Sequence, residues 1–258
     1  MDIYTKEKDA IAFLGLLSIA SKTFDAPYRH PDNTVTHTKG LNIYAVILDN
    51  SDGDILGQGC NTIHTHCNPL LHAEQAALHQ AIAAVNLKRP RDPQAVSVES
   101  YYRSHLFNDS GQIGNPNFGG TIYTTLEPCP YCTSALLVSR MKRIVYILPD
   151  LKFGSAYPYL KNKYYPSYNM SCGPADFEGY AERSSLLGYA DSALRTLRDY
   201  VSSNPNQFGT LVLDHFKTLL DQTCEFFLSL DGDSLITQGE EKNRNLKTLN
   251  DFKKILTV

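Results

Sequence analysis

The feature that most constrains the fold of this chain is a strand–helix–strand unit over residues 121–148. Thr121 to Leu126 and Arg143 to Leu148 are β-rich runs, and residues 129–140 between them read as a helix. Two strands joined through one helix at this spacing run parallel, because antiparallel neighbours would be joined by a short hairpin turn. A parallel pair is buried on both faces, so helices have to cover both sides of the sheet. An α/β architecture follows. Pro128-Cys129-Pro130-Tyr131-Cys132 stands at the joint between the strand and the helix. There the positive end of the helix dipole favours thiolates over thiols.

The flanking segments extend this frame. Leu41 to Leu48 and Ile55 to Gly59 read as two strands around the turn Asp49-Asn50-Ser51-Asp52-Gly53-Asp54. Its spaced carboxylates suggest a calcium loop, but the twelfth position is Cys60 where an EF-hand needs a bidentate Glu. Asp-Gly is an ordinary hairpin signal. The apolar period predicts an amphipathic helix at about 6–22, with Ile11, Leu14, Leu17 and Ser18 on one stripe. A polar loop is expected at 25–40, a helix at 71–85 and a long irregular insertion at 86–120. Beyond Asp150, Tyr157, Tyr159, Tyr164, Tyr165 and Tyr168 fall among Pro158 and Pro166 and read as a Tyr-rich loop, a candidate lid. Leu186, Ala190, Ala193, Leu194, Leu197 and Val201 form a helical stripe that stops at Asn204-Pro205. A helix at about 208–230 and another through Leu246, Leu249, Phe252 and Ile255 complete the reading. The expected organisation is a domain at 1–156 carrying the insertion, then the Tyr-rich loop and a helical C-terminal extension at 157–258.

Composition narrows the function. The 258 residues carry a formal net charge of −3 and a pI near 6.2. No broad cationic face is available for a nucleic-acid backbone. No segment reaches the roughly 18–20 apolar residues of a membrane helix. The mixed charges before Ala10 are unlike a secretory leader, so a cytoplasmic protein with no membrane partner is expected. Six cysteines in that setting read as free thiols or a metal site before disulfides.

His72-Ala73-Glu74 opens the 71–85 helix, and its imidazole joins Cys129 and Cys132 as three good zinc ligands. Three protein ligands leave one position open, which distinguishes a catalytic from a structural zinc. Glu74 beside such a centre is a candidate proton shuttle. In a regular helix residues i and i+2 point about 200° apart. His72 and Glu74 can serve one metal only at the very start of the helix. Cys-Pro-Tyr-Cys is also a glutaredoxin motif, but a thiol oxidoreductase would not need His-Ala-Glu upstream. A purely structural zinc would require a fourth ligand from Cys60, Cys67, His64 or His66.

The pairing of H-x-E with P-C-x-x-C is the signature of zinc-dependent base deaminases. Thr125 to Cys132, then Ala135, Ser139-Arg140 and Arg143-Ile144-Val145, resemble the tRNA adenosine deaminase and guanine deaminase branch of the cytidine-deaminase-like superfamily. Gly59-Cys60-Asn61, Pro69 to Glu74 and Asp150-x-Lys152-x-Gly154 are similar to the same branch, and the likeness spans about residues 6–155. The resemblance implies a three-layer α-β-α sandwich on a mixed sheet of about five strands, often as a homo-oligomer. It implies Zn2+ on His72, Cys129 and Cys132, with Glu74 as the catalytic proton shuttle. Asn61 and the Ala73 amide would bind the substrate. The reaction implied is hydrolytic deamination with release of ammonia. Leu70-Leu71, the long stretch from Glu74 to Pro128 and the C-terminal helices depart from the branch. These departures bear on the substrate and not on the zinc chemistry; the acidic pI and a C-terminal segment bulky enough to close the site favour a free base, nucleoside or similar small aminated heterocycle. The alternatives are adenosine-to-inosine deamination of tRNA and a silent partner subunit.

Overall fold

The structure is a computed structural model that describes residues 2–26, 28–29, 31, 35–36, 40–88, 120–166, 169–204 and 213–257. Half of the expected polar loop and nearly all of the expected insertion lie outside them; the described part of the loop includes the two-residue pair β1 (Tyr28–Arg29) and β2 (Val35–Thr36). The main sheet has five strands: β3 (Tyr44–Asp49), β4 (Ile55–Cys60), β5 (Gly120–Leu126), β6 (Arg143–Leu148) and β7 (Ser171–Pro174). Their order is β4-β3-β5-β6-β7. β3 runs antiparallel to β4 and β5, whereas β5, β6 and β7 are parallel. Every residue of β5 is buried, as a central strand covered on both faces requires.

Alternation along the strands assigns the two faces. Tyr123 of β5 and Arg143 of β6 reach Asp9 on α1 (Ile3–Thr23). Gly57 and Gly59 of β4 lie against α2 (Ala73–Lys88) on the other face. There α2 comes so close that a Cβ on Gly57 would sit 2.2 Å from the Ala77 carbonyl, and one on Gly59 2.3 Å from the Ala73 carbonyl. Ala73, Ala77 and Ala81, one helical face at i, i+4 and i+8, are fully buried there. α3 (Pro130–Val138) lies on the same side and packs against α2 and α4 (Ala156–Tyr164).

Several expectations are corrected. α1 is not amphipathic: Lys6 through Ser18 are all buried, because α5 (Ser185–Ser203), α6 (Lys217–Ser229) and α7 (Gly239–Thr257) pack over its outer side. The helix expected from 208 begins at Lys217, after a short 3-10 turn at Leu213–His215, and residues 208–212 lie outside the described set. The Tyr-rich segment is largely the helix α4. Pro158 sits in its first turn, where the backbone N–H would have no helical partner anyway. The division at 156/157 does not separate two packing units. β7 pairs with β6 in the main sheet, and one hydrophobic core joins residues on both sides of that boundary. The C-terminal helices are therefore the second cover of α1 rather than an appendage.

Four consecutive charges on α1 are buried, and each reaches a different part of the fold. Lys6 pairs with Asp176 at 3.0 Å. Glu7 accepts from the Ile236 amide at 2.6 Å, the Asn245 amide group at 2.8 Å, and the Thr237 amide and hydroxyl. Asp9 accepts from both Arg143 guanidinium nitrogens at 2.8 and 2.6 Å and from the Tyr123 hydroxyl at 2.8 Å. Lys8 donates to Asn50 Oδ1 at 2.8 Å.

Candidate metal centre

α2 begins at Ala73, which leaves His72 just outside the helix and Glu74 in its first turn. That placement removes the geometric conflict of an i, i+2 pair on a regular helix. A Thr62 amide bond to the Leu71 carbonyl ties the loop after β4 to the residue preceding His72. On the other side, Cys129 is the N-cap of α3 and Cys132 lies in its first turn, after Pro130 at N1. The Thr133 hydroxyl and amide close this turn onto the Pro128 and Cys129 carbonyls.

The three sequence-predicted ligands meet. Cys129 Sγ and Cys132 Sγ are 3.6 and 3.5 Å from His72 Nδ1, and the three donor atoms lie within 4.8 Å of one another. A tetrahedral zinc with sulfur at ~2.3 Å and nitrogen at ~2.0–2.1 Å separates those donors by about 3.6 Å. The donor set therefore fits zinc by spacing as well as by type. Among the described residues no fourth His, Cys, Asp or Glu joins the cluster. His64, His66 and Cys67 are exposed, and none of the six cysteines is in a disulfide.

The titratable groups of the site act strongly on one another. The neighbouring Cys132 thiol, with help from His72, draws the Cys129 thiol down to about 4. Cys132 is pushed up by that same partner and by burial. The His72 imidazole is raised through its bond to Cys129, against desolvation. Burial lifts the Glu74 carboxyl to about 7, with the Cys129 charge adding to the rise. Tyr131, between the cysteines, stands edge-on to the His72 ring at 5.7 Å.

Asn61 directly follows β4 and is buried. Its Oδ1 accepts from the Ile63 amide at 3.3 Å, which fixes the side-chain orientation. Ala73 is fully buried at the first position of α2. Two positioning features have no role in the motif reading, although Glu127, Gly154 and Gly59 fall within the quoted stretches. Glu127 accepts from the Ser155 amide at 2.8 Å and the Asp150 amide at 3.3 Å, latching the 150–155 loop to the turn that carries the cysteines. Gly154 allows this, since a Cβ there would lie 2.3 Å from Glu127 Oε2. Gly57 and Gly59 set the height of α2 above the sheet, and glycines inside a strand are the signal for such a close approach. The C-terminal helices, expected to close the site, lie on the α1 side of the sheet. α4 and the 150–155 loop stand beside the site instead.

Residues 29–148 match the family model described as the cytidine and deoxycytidylate deaminase zinc-binding region. The chain is 29% identical over 144 residues to a tRNA-specific adenosine deaminase of Rickettsia bellii (strain RML369-C), covering 55% of this chain and 79% of that protein. It is 32% identical over 111 residues to the tRNA-specific adenosine deaminase of Haemophilus influenzae, covering 43% of this chain and about half (48%) of that protein. Among solved structures, a guanine deaminase from Bacillus subtilis shares 23% identity over 48% of this chain and 64% of its own, with a TM-score of 0.32. No helix among the described residues is long and apolar enough to cross a membrane.

Proposed function

We propose a substrate class for this hydrolytic deaminase, whose residues 29–148 are a zinc-binding region of the cytidine and deoxycytidylate deaminase family: the ring amine of a free nucleobase, nucleoside or similar small heterocycle. The observation that carries the chemistry is a buried carboxyl, Glu74, held beside a three-donor cluster of His72, Cys129 and Cys132. These three residues would hold the metal. Zinc, when bound there, supplies a Lewis acid that makes water a competent nucleophile near neutral pH. Glu74 takes one proton from the attacking water and gives it to the ring nitrogen, then takes the second from the added hydroxyl and gives it to the amine nitrogen, so that the C–N bond breaks and ammonia leaves. A carboxyl raised by burial suits both directions of that transfer. Asn61 donates from its amide to the ring edge, and the Ala73 N–H, at a helix start without an intrahelical acceptor, holds a ring oxygen or nitrogen. The acidic pI supports a small substrate over a polyanion.

The similarity to tRNA-specific adenosine deaminases favours a second reading, adenosine-to-inosine deamination in tRNA. Ammonia release from the zinc-loaded chain, measured against bases, nucleosides, nucleotides, aminated triazines and tRNA, separates the two. Turnover of one small member is the expected result. Turnover of tRNA alone transfers the assignment, and silence throughout at full zinc occupancy leaves a non-catalytic partner subunit. Self-association, the remaining expectation, is read by sedimentation of the same preparation.

A further inference from the structure

The end of β5 opposite the metal centre bounds a cavity. Its volume is about 360 Å³, and it lies between the start of α1, the β3–β4 turn and the first residues of β5, β6 and β7. From Thr121 in its wall to Leu126, which leads into the cysteine turn, the strand runs about 17 Å at ~3.3 Å per residue. Three cations line this cavity, Lys8, Lys142 and Arg143, against one carboxylate, Asp2. Asp2 is engaged as the N-cap of α1, accepting from the Thr5 amide at 2.7 Å. Arg143 is matched by Asp9.

Lys8 is the exception among the four buried charges of α1. It is 5% exposed, yet it forms no ion pair among the described residues. Its ammonium has the neutral Asn50 Oδ1 and the face of Tyr4, 5.4 Å from the ring centroid. Lys6, Glu7 and Asp9 have a full ionic partner or several donors. An ammonium has three donors and is costly to bury without a matching charge. Desolvation lowers its pKa, Arg143 and Lys142 add to the fall, and Asp9 and Asp2 oppose it. Thr121 donates to the same Asn50 oxygen at 2.9 Å, so the amide is shared and its orientation fixed.

We propose that this cavity is a binding site for a small phosphate-bearing ligand or phosphate itself, with Lys8 at its floor and Lys142 at its exposed rim. The shared chemistry is a phosphoryl group whose oxygens accept from Lys8, Lys142 and the polar wall. The volume is near the lower end of the ~300–1,000 Å³ range of ligand pockets, which suits a phosphate with at most a short sugar. The site is independent of the deaminase reading, because none of its residues belongs to the metal centre.

The test is calorimetric titration of the full, zinc-loaded chain with inorganic phosphate and with ribose 5-phosphate, at constant ionic strength. Neither probe carries a base, so neither reports on a base-binding site. Saturable millimolar or tighter binding is expected. A tighter fit for ribose 5-phosphate identifies an ester as the ligand, and equal affinity identifies free phosphate; both support the site. Lys8→Met should lose saturable binding and, in phosphate-free buffer, melt no lower than the parent chain. Lys142→Ala, at an exposed position, should weaken binding several-fold without moving the melting temperature. Absence of saturable binding to the parent chain overturns the proposal. So does unchanged binding in either variant. A Lys8→Met chain that melts lower and binds phosphate as the parent does would make Lys8 a purely structural lysine.

Discussion

The two faces of the sheet use polar groups in opposite ways. On the α1 face, Glu7 and Asp9 are consumed by the fold, each accepting from several donors on distant segments. On the α2 face, helix and sheet meet through alanines and glycines, and the polar groups at the helix starts are held for other use. His72, Cys129 and Cys132 meet mainly one another there. One face uses charge to join segments far apart in the chain. The other uses close backbone approach to place charge where a metal and a substrate can meet it.

Substitutions can break that division. The largest effect is expected at the centre itself. Glu74→Gln should keep zinc and fold but lower ammonia release by about 10²–10⁴-fold, and an active variant would remove the shuttle assignment. Cys129→Ser should lose metal, read as zinc per chain by mass spectrometry of the native protein. On the other face, Glu7→Ala strands four donors and should cost about 3–5 kcal/mol of stability. That is a large part of the ~5–15 kcal/mol a domain possesses. Denaturant unfolding measures it, and zinc stoichiometry in the surviving folded fraction should be unchanged. Gly59→Ala is intermediate, because its Cβ would meet the Ala73 carbonyl. It should cost about 1–3 kcal/mol and weaken zinc binding by about 10-fold, since it displaces the helix start rather than a ligand. The smallest effect is expected for Glu127→Gln, about 1 kcal/mol, with zinc retained and faster proteolysis of the 150–155 loop. If Glu7→Ala lost zinc as readily as Gly59→Ala, the two faces would not be separable.

The same division explains what could be read in the sequence. His72, Glu74, Cys129 and Cys132 lie in two short motifs whose chemistry depends on neighbours along the chain, so the centre was legible before any folding was considered. The parallel pair of β5 and β6 was legible for a similar reason, since the connecting helix dictates it. Lys6, Glu7, Lys8 and Asp9 open a helix that reads as amphipathic, and nothing near them in the chain marks them as buried. Their partners lie up to 238 residues away, and no local period reports such distances. β7 was invisible because Ser171-Cys172-Gly173-Pro174 has little strand propensity and is recruited by the β6 edge. Tyr157 to Tyr164 misled because Pro158 reads as a breaker, though in a first turn it breaks nothing.

The wrapping of α1 by α5, α6 and α7 also sets an order of events during synthesis. The helix emerges early, but the groups that satisfy Glu7 lie at Ile236, Thr237 and Asn245. At ~5–20 residues per second, roughly 10–50 s separates the two. Through that interval Ile11, Leu14 and Leu17 lack the helices that complete their cover. Nascent chains arrested before residue 213 should therefore be protease-sensitive at α1, even though every ligand of the metal centre has already been made.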